Sequence, residues 1–72
     1  MQTRVITVGS VTYAIKLRRL LSANGIQSRQ VKISVRDKGC VNGVEINEGD
    51  IYTAVMLLRE NNIDYTVQND IP

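Results

Sequence analysis

A seven-residue pattern occurs twice in this chain: Leu20-Leu21-x-x-Asn24-Gly25-Ile26 returns as Leu57-Leu58-x-x-Asn61-Asn62-Ile63, a shift of 37 residues counted from Leu21 to Leu58. In each copy paired leucines close an apolar stripe and an Asn-Gly or Asn-Asn pair stops it, as at a helix C-terminus. The first stripe is Val11, Ala14, Leu17, Leu20 and Leu21, with Lys16, Arg18 and Arg19 falling away from it. The second is Ile51, Ala54, Val55, Leu57 and Leu58. Both have the spacing of amphipathic helices resting on a sheet. Gly25 is suited to the positive φ that follows a helix, with Ile26 folding back on the last turn.

Strand-like segments flank both helices. Arg4-Val5-Ile6-Thr7-Val8 is rich in β-branched residues and ends at Gly9. Val31, Ile33 and Val35 alternate with Gln30, Lys32, Ser34 and Arg36, which predicts one buried and one wet face. Val44-Glu45-Ile46 reads as a short third strand and Asp64-Tyr65-Thr66-Val67 as the last. Ser10 is the expected N-cap of the first helix, and the 37-residue shift carries it onto Asn47, the expected cap of the second. The strands do not follow the shift in parity, since Val8 lands on Glu45. The pattern is therefore βαβ twice, joined by a hairpin. Two such units in 72 residues predict a single α+β domain over residues 1–72. Its expected architecture is a ferredoxin-like β-α-β-β-α-β sandwich, a four-stranded antiparallel sheet with two helices on one face.

The hairpin carries the chemistry. Arg36-Asp37-Lys38-Gly39-Cys40-Val41-Asn42-Gly43 supplies the positive-φ and side-chain-to-backbone options that tight turns need, and it contains the one cysteine of the protein. The segment reads as a loop with Cys40 at or near its tip, shaped by Gly39 and Gly43. In the ferredoxin-like arrangement the third strand inserts between the first two. Cys40 then falls at the end of the sheet where the Gly9-Ser10 turn opens the first helix. Helix N-termini and cationic side chains favour thiolate over thiol, so Ser10 with its helix start, Arg36 and Lys38 are the expected surroundings of an anionic sulfur. A cysteine among Gly, Asn, Asp and Lys has little to pack against, unlike a structural cysteine among valines and leucines.

Other chemistries are poorly served. The chain has no histidine, which removes a Cys-His pair and the usual zinc ligands, so neither a metal nor a cofactor is expected. No phosphate-binding or dinucleotide glycine pattern occurs. Glu45, Glu48 and Asp50 are better explained by capping and solvation of the second helix than by acid-base catalysis. Nine basic against seven acidic residues give +2, with the basic ones mostly in the first half. No basic run is interleaved with stacking aromatics, and Lys, Ser and Thr occupy the strand positions that would stack bases, so nucleic acid is not expected. A lone cysteine suits a reducing cytoplasm. The N-terminus has no apolar signal core and no segment approaches membrane-spanning length.

From Gly39-Cys40 outwards the chain resembles the small bacterial family of sulfur/selenium carrier-like proteins. The likeness rests on the Ile6-Thr7 strand with its Ser-bearing turn, the Leu-Leu-x-x-Asn-Gly-Ile helix end, the mid-chain Arg36, the cysteine loop with Gly43-Val44-Glu45-Ile46, and Ile63-Asp64-Tyr65 after the second helix. In that family the cysteine is usually followed by glycine and preceded by small hydroxyl residues, whereas Val41 follows and Asp37-Lys38-Gly39 precede here. The resemblance implies a carrier rather than a turnover enzyme. Cys40 would accept sulfur or selenium as a persulfide or selenosulfide from a donor protein and pass it to an acceptor, with Arg36 and Lys38 stabilising the anion. The competing expectation is a non-catalytic regulatory module that binds a small ligand or a protein through its open sheet face or an edge strand, with a homodimer as one form.

Overall fold

The computed structural model describes residues 2–68. Its elements are β1 (Thr3–Val8), α1 (Val11–Ala23), β2 (Ser28–Val35), β3 (Gly39–Asn47), a single 3-10 turn (Glu48–Asp50), α2 (Ile51–Glu60) and β4 (Tyr65–Gln68). The strands form one antiparallel sheet in the order β2-β3-β1-β4. This is the ferredoxin-like sandwich, with β3 inserted between β1 and β2. No helix among the described residues is long and apolar enough to cross a membrane.

The repeated pattern builds the same latch twice. Asn24 Nδ2 donates to the Leu20 carbonyl and Asn61 Nδ2 to the Leu57 carbonyl, each at 2.8 Å. Gly25 at φ 75 and Asn62 at φ 55 turn the chain into the left-handed region. The Ile26 N–H then bonds the Leu21 carbonyl at 2.9 Å, and the Ile63 N–H the Leu58 carbonyl at 3.0 Å. These bonds satisfy carbonyls that a helix end leaves free, and they return a buried isoleucine to the core. The shift of 37 is thus a structural equivalence at the helix C-termini. At the N-termini it fails: the Ser10 side chain accepts from the Tyr13 N–H at 3.2 Å, whereas Asn47 makes no side-chain capping bond. Asn47 ends β3 instead, and the following residues form the 3-10 turn.

The core joins Ile6 and Val8 of β1, Val44 and Ile46 of β3, Ala14, Leu17 and Leu21 of α1, Ala54 and Leu58 of α2, and Ile26 and Ile63 from the latches. Val11, expected on the first stripe, is 46% exposed, because α1 has only just begun there. The side chains of β2 run contrary to expectation. Gln30 pairs with Val44 and Ser28 with Ile46, so the polar row of β2 shares the helix-covered face. Val31, Ile33 and Val35 turn to the uncovered face, half-buried and outside the core. The period of two was correct but its apolar row faces away from the helices, since β2 is the sheet edge.

Gly43 lies within β3, opposite Thr7 of β1 and Val31 of β2, and is not a loop residue as expected. A Cβ there would stand 2.8 Å from Val5 Cγ1 and 3.1 Å from the Ile6 carbonyl oxygen. The missing side chain makes room for Val5, which is only 4% exposed although it points to the uncovered face. Gly43→Ala is expected to destabilise the fold by about 1–3 kcal/mol in urea unfolding, because backbone as well as side chain must shift. Asn62→Gly, which removes a Cβ from the left-handed region, should stabilise it by about 0.5 kcal/mol in the same measurement.

Candidate functional site

The site arises where two registers end at different points. The last β1–β3 pair is Thr7 with Gly43, whereas β2–β3 pairing continues through Asn42, Val41 and Cys40 to Gly39. Four residues of β3 therefore run on beyond their β1 partner, about 13 Å of extended chain. At that level β1 has already turned through Gly9 into α1. A cleft opens between the projecting hairpin and the end of the β1–β4 pair. Cys40, Asn42, Val41 and Lys38 line its hairpin wall, and Val8, Gly9, Asp64, Tyr65 and Gln68 line the other.

The hairpin tip is Arg36-Asp37-Lys38, so Cys40 is not at the tip but one residue inside β3, opposite Ser34 of β2. The turn closes with the Lys38 N–H donating to the Val35 carbonyl at 3.0 Å. Asp37 at φ 69 and Gly39 at φ 71 both enter the left-handed region. Aspartate tolerates that region better than most residues, and glycine enters it freely. The sequence made the whole of Arg36–Gly43 a loop because both ends carry turn residues. In the structure only the first end turns, and the second is a strand passing close to its neighbour.

Cys40 is exposed, and it is the free cysteine of the site. Its register puts it on the same face of β3 as Asn42, Val44 and Ile46. Of the groups expected around an anionic sulfur, Lys38 lines the same cleft as Cys40. Arg36 sits in the exposed turn and does not line it, and the Ser10 hydroxyl serves the N-terminus of α1 by accepting from Tyr13. Gly9, the residue before that cap, does reach the cleft, so the α1 start and the cysteine are at the same end of the sheet.

Sequence reasoning missed several residues of the cleft. Asp64 supplies a carboxylate, and Asn42 has a buried side-chain oxygen without a hydrogen-bond partner. Gln68 closes the far wall by donating from Nε2 to Thr7 Oγ1 at 3.2 Å, while Thr7 donates to the Thr66 carbonyl at 3.2 Å. Asn42 was inside the segment singled out but read as a turn former. Asp64 and Gln68 join the cleft wall only through the β1–β4 pairing, which has no local signal. Among the described residues no group of three or more His, Cys, Asp and Glu side chains could hold a metal ion. The cleft thus offers one exposed thiol, one ammonium, one carboxylate and amide groups, without a second thiol that could form a disulfide with the first.

The hairpin conformation sets where the sulfur stands. No atom lies within 4 Å of a Cβ built on Gly39, yet its φ of 71 strains any side chain. Gly39→Ala should cost about 1–2 kcal/mol in urea unfolding from backbone strain alone, and raise amide exchange at Lys38 and Cys40 first.

No protein-family model, curated protein or solved structure matches this chain.

Proposed function

We propose that the protein is a sulfur or selenium carrier in which Cys40 holds the transferred atom. The observation that carries this reading is the exposed thiol on the projecting part of β3, in a cleft that it shares with Lys38. The resemblance of the cysteine segment to carrier-like proteins points the same way.

The reaction needs one thiol. A Cys40 thiolate attacks the outer sulfur of a donor protein's persulfide, a new sulfur–sulfur bond forms, the donor's own bond breaks, and the donor cysteine leaves as thiolate. The products are a Cys40 persulfide and a reduced donor, so no external oxidant is required. Delivery is the same exchange in reverse sense: an acceptor nucleophile takes the outer sulfur and Cys40 leaves as thiolate. Lys38, on the same wall of the cleft, is the cation available to the attacking sulfur and to the terminal sulfur of the loaded form. A partner's active-site cysteine can approach because Cys40 is exposed on the part of β3 that projects beyond β1. For selenium the same steps give a selenosulfide.

Incubation with a cysteine desulfurase and free cysteine, followed by intact-mass measurement, should add the mass of one sulfur atom to the wild type. The adduct should vanish on treatment with dithiothreitol and be absent from Cys40→Ser. Lys38→Ala should slow loading by roughly threefold, the effect of an exposed charge. No adduct on the wild type, or the same adduct on Cys40→Ser, overturns the carrier reading.

A further inference from the structure

We infer that the outer edge of β2 is a docking strand for an extended protein segment in which acidic and apolar residues alternate. Three observations converge there, and none depends on sulfur transfer. First, β2 is eight residues long and ends the sheet, with no strand beyond it among the described residues. Every second residue therefore directs its backbone N–H and C=O outward, and an added strand satisfies these groups. The opposite edge, β4, offers four residues among those described.

Second, the two faces flanking this edge differ in chemistry. On the uncovered face Val31, Ile33 and Val35 form a half-buried apolar row outside the core. On the helix side Lys32 is exposed, and Arg18 and Arg19 of α1 line a groove against Ser28 at the start of β2. None of these three cations has an ion pair among the described residues. A strand laid along β2 places alternate side chains on the two faces. Those over the uncovered side meet valine and isoleucine, and those over the helix side meet Lys32, Arg18 and Arg19. The complementary segment is apolar on one side and acidic on the other.

Third, the charges tell against a second copy at this edge. Two β2 strands paired antiparallel about a two-fold axis near their middle set Lys32 against Lys32 and bring Arg36 of each chain to the Ser28 end of the other, where Arg18 and Arg19 lie. Lysines on edge strands discourage such self-pairing while leaving the edge open to an acidic segment.

The test uses the isotope-labelled full chain and a capped heptapeptide of alternating valine and glutamate, with a valine-lysine peptide as control, followed by backbone NMR. The valine-glutamate peptide should shift the β2 amides and protect alternate ones from exchange. Affinity should fall with added salt, and by roughly fivefold in Lys32→Glu and again in the Arg18→Glu, Arg19→Glu double variant. These exposed positions should leave the spectrum of the free protein otherwise unchanged. Cys40→Ser should bind as the wild type does, which separates this result from the fate of the carrier reading. Equal binding of the valine-lysine peptide, changes confined to the uncovered face with no β2 amide protected, or the same β2 response to a single-stranded oligonucleotide would each overturn the assignment.

Discussion

Unequal strand lengths govern this structure. β3 is nine residues long, but β1 matches it only from Asn47 back to Gly43, and its remaining residues lean on β2 alone. An antiparallel sheet normally closes such a step with a turn or a helix. Here β1 leaves through Gly9 into α1, and the step remains as the wall of a cleft. The exposure of Cys40, its company of Lys38 and Asn42, and the approach of Asp64 from across the sheet all follow from that mismatch.

The hydrogen bonds at the other end explain why the mismatch stays at this end. Arg4 donates through both Nε and Nη2 to Glu48, at 3.1 and 2.7 Å, and the Glu48 N–H bonds the Gln2 carbonyl at 3.0 Å. These contacts tie the start of β1 to the end of β3. Gly43 then fixes how closely the two strands lie, because Val5 fills the place of its side chain. A one-residue slip would put a side chain under Val5 and turn Val44 and Ile46 out of the core.

Much of the fold was legible in local signals. The Leu-Leu-x-x-Asn pattern encodes a complete helix stop, whose bonds all lie within seven residues, so reading it twice was sufficient. Ser10 was legible for the same reason. The facing of β2 was not, because alternation shows that a strand has two unlike faces but not which one meets the helices. In a central strand the apolar row must go inward; at an edge the helix side is so thinly covered that Gln30 and Lys32 occupy it. Gly43 misled for a related reason: a glycine chosen for a close neighbour has the same letter as one chosen for a turn. For the cleft, the thiol stood out as the lone cysteine of the chain, whereas Asp64 and Gln68 lie far away in sequence and join the cleft wall only through pairing.

The order β2-β3-β1-β4 also has an electrical result. The cations Lys16, Arg18, Arg19, Arg29, Lys32, Arg36 and Lys38, with the single anion Asp37, belong to α1, β2 and the hairpin tip, while Glu48, Asp50, Glu60 and Asp64, with the single cation Arg59, belong to the 3-10 turn, α2 and the approach to β4. What looks in the sequence like a basic first half and an acidic second half becomes, once folded, a charge separation from one rim of the sheet to the other. In the field of a charged macromolecule such a body experiences a torque before any contact is made, so the small net charge of +2 understates how strongly its orientation on approach is biased.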